Sequence, residues 1–383
     1  MEVVGAKRVL LIENFSSDFF KARLPLAKFL QKQGYEVFAL VPNDGYLENI
    51  KDAGIHVIGY DLDRKNKGIR QIIRLTKIYK IVAEENSIDI VHSFRFQPNL
   101  LNVLANFFNR RRVVLHVTGL GIAFSNFSVY YLALRFISQL IFQLKLIRAN
   151  ALIVQNEDDK TELWFSGYWE KKIYLINGSG VNTSIFDQSL YDRKSLRKEF
   201  GISEQDFIFI CVTRLILEKG IVEMTTAFQQ LNDLNPNIKL WIVGWADIDN
   251  PRHVQESYIE KYKNSPAVKF LGRKDNVKEL LAAVDGFIYP SYYREGIPRG
   301  ILEALSMGLP ILTTDTPGCK TTVREDQNGY LFKPRSSEEI KKHVLKLISN
   351  PKLKAFGLQS RAMANSKFSE TIIFSQIEML YSK

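Results

Sequence analysis

The sequence predicts an α/β protein built from two doubly wound, Rossmann-like domains facing across a cleft. Three observations carry this expectation. Short β-branched or aliphatic runs alternate with helical patterns, a polar and charged stretch from Asp187 to Gly201 separates two such series, and 383 residues suit two domains better than one. The first series places strands near 9–12, 35–41, 55–58, 88–92, 113–117, 151–154 and 173–176. Such alternation means βαβ units, hence a mostly parallel sheet covered on both faces. Gly34 and Gly54 stand where helix C-caps are expected. The second series places strands at 207–213, 238–243, 267–271, 285–289, 310–313 and 329–332. Between the two series, Asp187–Gly201 reads as a linker that becomes a short helix. The expected domains are 1–183 and 184–367, followed by a closing helix at 368–383. That closing helix, from about Ser369 to Tyr381, carries Ile372, Ile373, Ile377 and Leu380 at helical spacing.

Composition excludes several classes. Hydrophobic residues make up 46% and charged residues 24%, which is globular rather than disordered. Cys211 and Cys319 form no disulfide framework and no metal spacing; they read as small core fillers in a reducing compartment. The first residues lack the apolar region of a signal peptide, so the expected location is cytoplasmic. The longest apolar segment, Phe127 to Arg148, carries Arg135, Gln139, Gln143 and Lys145 and is not expected to span a bilayer. Its polar positions project onto one side at helical spacing, so it reads as a core helix with one wet face.

The net charge is +11, and +7 of it lies in residues 90–156, which contain no Asp or Glu. Arg95, Arg110, Arg111, Arg112, Arg135, Lys145 and Arg148 supply that charge, interleaved with aromatic residues. Such a surface suits anionic lipid headgroups at the inner face of the cell membrane. Nucleic acid is the competing target and is not the expected partner. Gly119-Leu-Gly121 superficially opens a dinucleotide fingerprint, but Phe124 stands where the third glycine belongs and no acid occurs before Glu157 to hold a ribose. A nicotinamide-dependent dehydrogenase is therefore excluded.

The chemistry concentrates at Glu295-Gly-Ile-Pro-Arg-Gly-Ile-Leu-Glu303, which sets two carboxylates across a helix start just after an apolar strand. Pro298 suits the first helical turn, where a missing N–H costs nothing, and Gly296 and Ile297 would lead backbone N–H groups toward the helix's positive end. An anionic phosphate fits there. Glu303 could accept two hydroxyl hydrogen bonds, and Glu295 would lie beside whatever the phosphate carries. Arg214 follows the strand ending at Thr213, with Lys219-Gly220 five positions on, so two cations lie at the carboxyl end of a strand, where doubly wound folds bind ligands.

These residues resemble the signature of family 4 retaining glycosyltransferases. Glu295 and Glu303 match the family's E-x7-E element, and the likeness continues through Gly308-Leu-Pro-Ile311, Thr314-Asp-Thr-Pro-Gly-Cys319 and Asn328-Gly-Tyr-Leu-Phe332. Thr213-Arg-Leu-Ile-Leu-Glu-Lys-Gly220 is similar to the diphosphate-gripping R-x4-K loop, and Phe270-Leu-Gly-Arg-Lys-Asp275 to the loop that contacts the nucleobase around Gly272 and Arg273. The resemblance implies a GT-B fold whose final helix crosses back onto the N-terminal domain. It also implies transfer of a hexose or N-acetylhexosamine from a UDP-sugar with retained configuration, without metal or other cofactor. Arg214, Lys219 and Glu295 would carry the chemistry, and Gly272, Arg273, Gly296, Ile297, Pro298 and Glu303 would complete the donor site.

The acceptor is expected on the N-terminal domain, near Arg23, His92, His116, Thr118, Gly119 and Gly121. Many relatives carry a histidine where this chain places Thr118; His116 lies two residues earlier, and His92 ends the preceding strand towards the same cleft edge. The Thr118–Gly121 loop and Arg23-Leu-Pro25 are most similar to bacterial members acting on polyprenyl-diphosphate-linked sugars in surface-glycan assembly. Two other readings stay open here: a sugar-nucleotide epimerase or hydrolase on the same architecture, and a non-catalytic basic module for membrane or nucleic acid.

Overall fold

The computed structural model describes residues 6–66, 68–121, 124, 128–163, 167–248 and 250–382, the side chains of 167 and 168 excepted. Phe127, part of the long apolar segment, and the first five residues lie outside them. The chain divides into two compact units, Met1–Ser179 with Glu370–Lys383, and Gly180–Ser369.

In the first unit, strands β1 (Arg8–Ile12), β2 (Glu36–Pro42), β3 (His56–Tyr60), β4 (Ile90–Phe94), β5 (Arg112–His116), β6 (Ala151–Val154) and β7 (Ile173–Leu175) pair in the order β3-β2-β1-β4-β5-β6-β7. Every pairing is parallel. β1 lies in the interior of the sheet, with Val9 opposite Val37 on one side and Ile90 on the other, and Val9, Leu10, Leu11 and Ile12 are fully buried. Alternation decides which core each residue joins. Val9 and Leu11 pack with Leu26, Val37 and the closing helix, while Leu10 and Ile12 pack with Phe38, Leu75 and Tyr79. A strand buried on both faces favours apolar residues at every position, and Val9–Ile12 is continuously apolar.

The second unit holds β8 (Phe207–Val212), β9 (Ile238–Val243), β10 (Val268–Gly272), β11 (Gly286–Tyr289), β12 (Ile311–Thr314) and β13 (Gly329–Phe332), in the order β10-β9-β8-β11-β12-β13. These strands too are all parallel. Both cysteines are buried among apolar side chains, which pushes the Cys211 thiol up to about 12 and Cys319 to about 11. They are inert fillers.

The helix Glu370–Ser382 returns to the first unit. Ile373, Phe374, Ile377, Leu380 and Tyr381 enter the core of β1 and β2, and the Phe374 ring lies 5.6 Å from that of Phe29. Polar bonds fix its placement: Tyr35 donates to Glu378 Oε1 at 2.9 Å, and Arg112 Nε donates to the Leu380 carbonyl at 2.5 Å.

Two expectations are corrected. Asp187–Gly201 is no free linker; it folds into the second unit. Asp192 caps the helix Arg193–Glu199, Arg193 and Arg197 pair with Asp285 at 2.5 and 3.0 Å, and Asp187 pairs with Arg361 at 2.7 Å. Its charges serve as internal ties, and the short helix expected within it is present. The segment read as a core helix with one wet face forms the helix Val129–Arg148 with its polarity reversed. Lys145 is buried and Arg135 and Gln139 reach inward to Glu162, while Val129, Phe136, Ile137, Leu140, Leu144 and Ile147 are exposed. An amphipathic pattern gives the angular separation of two faces; which one turns inward depends on neighbours, here Glu162 and Phe96.

Phe374→Ala, which empties a buried ring position between the closing helix and the Leu24–Lys32 helix, is expected to destabilise the first unit by about 3–5 kcal/mol. Urea unfolding read by a probe in that unit measures this.

Candidate active site

The parallel topology brings distant segments to one sheet edge. At the carboxyl ends of β10, β9, β8 and β11 lie Gly272 and Arg273, Trp245 and Asp247, Thr213 and Arg214, and Tyr289 through Glu295. Lys219 closes a short 3-10 turn, Leu217–Lys219, before the helix Ile221–Leu234. Gly220 then takes φ 70°, and a Cβ there would meet the Pro290 carbonyl oxygen at 2.4 Å. Only glycine lets the Lys219 backbone lie so close to the loop after β11.

That approach places the Lys219 ammonium against Glu295, at 2.6 Å from Oε1 and 2.7 Å from Oε2, with a third bond donated to the Tyr289 hydroxyl at 2.7 Å. Ser291 donates to Glu295 Oε1 at 2.9 Å. The Lys219 and Glu295 side chains are only 5% and 20% exposed, so the pair is largely out of water. Tyr289 and Ser291 are site residues that motif reading passed over. They stand just ahead of Glu295, at and just after the end of β11, and direct their hydroxyls to its carboxylate.

Helix Arg299–Ser306 starts one residue later than expected: Pro298 is its N-cap, with ψ 127° and its carbonyl accepting from Ile301 and Leu302. The extended ψ keeps Pro298 outside the helix while the N–H groups of Gly296 and Ile297 still precede it. Gly318, at φ 81°, presses on this loop, and a Cβ there would lie 1.9 Å from the Gly296 carbonyl oxygen. Glu303 is 15% exposed on the helix, and Arg299 Nη2 lies 3.4 Å from its Oε1. Burial raises the Glu303 carboxyl, against the lowering effect of Arg299.

Of the two expected diphosphate cations, only Lys219 is brought onto Glu295. Arg214 is 43% exposed and bonds Asp247 Oδ2 at 2.8 Å. Gly272 ends β10 and accepts from Gly244 N at 3.0 Å, and the Arg273 guanidinium lies 5.8 Å from the Trp245 ring.

On the N-terminal unit, the structure corrects the reading of His92. It lies mid-strand in β4, fully buried, bonded through Nδ1 to Tyr381 Oη at 2.6 Å. His116 ends β5 but is equally buried, with Nε2 3.1 Å from Gln155 Nε2 and its ring stacked 5.6 Å from that of His92. The neighbouring strands β4 and β5 simply stack same-facing side chains, and the closing helix covers them. Arg23 is also buried, 3.2 Å from Glu13 Oε2 and over the Phe94 ring at 4.0 Å. Thr118, Gly119 and Gly121 stay half-buried in the loop after β5.

Two family profiles match the chain in succession: one described as glycosyl transferase 4-like over residues 8–156, the other as glycosyl transferases group 1 over residues 192–363. The chain belongs to the family 4 glycosyltransferases. This glycosyltransferase is 25% identical over 381 residues to N,N'-diacetylbacillosaminyl-diphospho-undecaprenol alpha-1,3-N-acetylgalactosaminyltransferase of Campylobacter jejuni, covering 98% of both chains. It is 25% identical over 323 residues to UDP-Gal:alpha-D-GlcNAc-diphosphoundecaprenol alpha-1,3-galactosyltransferase of Escherichia coli, covering 81% of this chain and 82% of that one. Among solved structures, Anabaena HepE in complex with UDP superposes with a TM-score of 0.80 at 21% identity, over 98% of this chain and all of that one. The fold is GT-B.

Two outcomes follow from the geometry. Lys219→Met alone strands a carboxylate largely removed from water and is expected to cost about 3–5 kcal/mol in the second unit, of which Lys219→Met with Glu295→Gln recovers a large part; a double-mutant cycle in urea measures this. Burial, with the Arg23 charge adding to it, pulls His92 down to about 3, while burial, His92 and Arg23 hold His116 well below the usual histidine range. Unfolded histidines titrate near ~6.5, so below that pH the unfolded chain binds more protons and stability is lost as pH falls. Each histidine is expected to remove about 2 kcal/mol between roughly pH 7 and pH 5, and His92→Gln to halve that pH dependence in denaturant titrations.

Proposed function

We propose that this glycosyltransferase moves a hexose or N-acetylhexosamine from a UDP-sugar to a lipid-linked glycan precursor, with retained anomeric configuration and without a metal ion, at the inner face of the cell membrane. The observation that carries the reading is the Glu295 carboxylate, oriented by Lys219, Tyr289 and Ser291 at the carboxyl edge of the sheet, immediately before the N–H groups of Gly296 and Ile297. The undecaprenol-linked substrates in the names of the two relatives support the acceptor class.

In this reading Glu295 accepts hydrogen bonds from donor-sugar hydroxyls and Glu303 from the ribose. The bond from the anomeric carbon to the diphosphate oxygen breaks, leaving negative charge on the diphosphate. An acceptor hydroxyl forms the new bond on the same face, and its proton passes to the departing phosphate oxygen, so no separate general base is needed. The transition state resembles an oxocarbenium ion. Arg214 retains N–H donors beyond the bond to Asp247, and with the helix start it faces the growing negative charge. Lys219 acts by fixing Glu295 and by its charge nearby. Fixed charges of this kind stabilise the transition state more than the ground state.

The test starts from a donor screen: the UDP-sugar that raises the melting temperature is offered with membrane extract. Transfer with retained configuration by NMR, unchanged by chelators, is the expected result. Arg214→Ala should lower kcat/KM about 100-fold or more, and Glu295→Gln should lower kcat. Donor turnover that proceeds fully without acceptor would replace this reading by a hydrolase or epimerase.

A further inference from the structure

The reversed helix Val129–Arg148 presents its apolar side outward as a deliberate feature of the fold. Its rotation is fixed by polar ties on the inner side. Arg135 and Gln139 bond Glu162, and the Lys145 ammonium donates to the Phe96 carbonyl at 3.1 Å while lying over the rings of Phe96 and Phe142. Arg148 donates to the carbonyls of Asn106, Asn109 and Arg111 at 2.5–2.8 Å. Turning the helix to hide its apolar stripe would break all of these at once. The stripe runs the length of the helix, with Val129 84% exposed, Phe136 65%, Leu144 60% and Ile147 53%.

Next to the Arg148 end, the loop after the helix Phe96–Ala105 projects Phe108, 98% exposed, beside Phe107 at 43%. The flanking helix Ile69–Glu85 packs on Phe96–Ala105, which packs on Val129–Arg148. It exposes Ile69 and Ile73 together with Arg70, Arg74, Lys77 and Lys80, and carries no acid before Glu84. Of the cations first expected there, Arg110 is exposed, while Arg111 and Arg112 each turn their guanidinium Nε to a carbonyl, of Ile88 and Leu380.

We propose that the outward stripe of Val129–Arg148, with Phe107 and Phe108, inserts into the headgroup–acyl boundary of an anionic bilayer, held there by Arg70, Lys77 and Arg110. A contiguous apolar surface of this kind is normally covered in water-soluble proteins. Charge complementarity selects the occupant: a second copy would face this acid-poor, basic surface with its own like charges, whereas anionic lipid offers the opposite sign. The helix lies on the bilayer, since no helix among the described residues is long and apolar enough to cross one. The Thr118–Gly121 loop precedes this helix in the chain, within the same unit, so a lipid-linked acceptor would be met by the unit that docks on its membrane; in that respect the inference rests on the proposed acceptor.

Vesicle flotation of the full chain tests it, comparing phosphatidylglycerol-rich with pure phosphatidylcholine vesicles. Phe108→Ser and Phe136→Ser are each expected to weaken binding to the anionic vesicles about tenfold, and Leu358→Ser, an exposed position on the second unit, to leave it unchanged. All three substitute exposed side chains, and an unaltered melting temperature with and without UDP verifies the fold. Wild-type protein that fails to float, or binding abolished by salt yet indifferent to Phe108→Ser and Phe136→Ser, overturns insertion. So does a dimer in sedimentation that Phe136→Ser dissociates, which would assign the stripe to a second copy. Intact flotation with no donor stabilisation would sink the donor reading and leave this inference standing.

Discussion

A carboxylate held mostly out of water needs an opposite charge and hydrogen-bond donors beside it, and Lys219 supplies both to Glu295. Much of the second unit's local architecture exists to make this match. The two residues are 76 positions apart, brought together because β8 and β11 are paired neighbours whose carboxyl ends share an edge. The glycines at 220 and 318 let backbone approach backbone from both sides of the loop, so the carboxylate is fixed by the frame and not only by its bonds. A preorganised acceptor of this kind pays its ordering cost at folding, before any sugar arrives.

The first unit also matches an acid with cations at the carboxyl end of a strand. Glu13 follows β1, is fully buried, and is matched by Arg23 at 3.2 Å and Arg95 at 3.0 Å. Arg95 holds φ 75°, a conformation that non-glycine residues rarely adopt, and its N–H donates to the His116 carbonyl. Backbone strain at the end of a central strand is retained where surrounding contacts over-determine it. Each sheet thus carries, just past a strand's carboxyl end, an acid matched by cationic side chains: Glu13 by Arg23 and Arg95, Glu295 by Lys219.

Strand content was legible in the residues almost throughout, because a doubly covered parallel strand is mostly apolar and therefore announces itself. Glu295, Glu303, Arg214 and Lys219 were picked out through their resemblance to a family motif. What spacing could not convey was pairing across long separations: that Lys219 spends its N–H groups on Glu295 and Tyr289, that Arg214 turns to Asp247, or that His92 is sealed by Tyr381, 289 positions away. The rotation of Val129–Arg148 failed for a related reason. Its periodicity is intact, but the acid that draws Arg135 inward belongs to a different helix. The Asp187–Gly201 stretch misled because charge reads as solvent exposure unless its counter-charge, Asp285, is known.

The helix Glu370–Ser382 supplies Ile373, Phe374, Ile377 and Tyr381 to a core whose other members are translated before residue 177. On the ribosome, the whole of Gly180–Ser369 emerges before that helix does. The second unit can therefore reach its native state while the first still waits with apolar faces of β1 and β2 bare. Vectorial synthesis, which ordinarily favours the leading domain, here leaves the leading domain the last to be completed and the one most dependent on protection during translation.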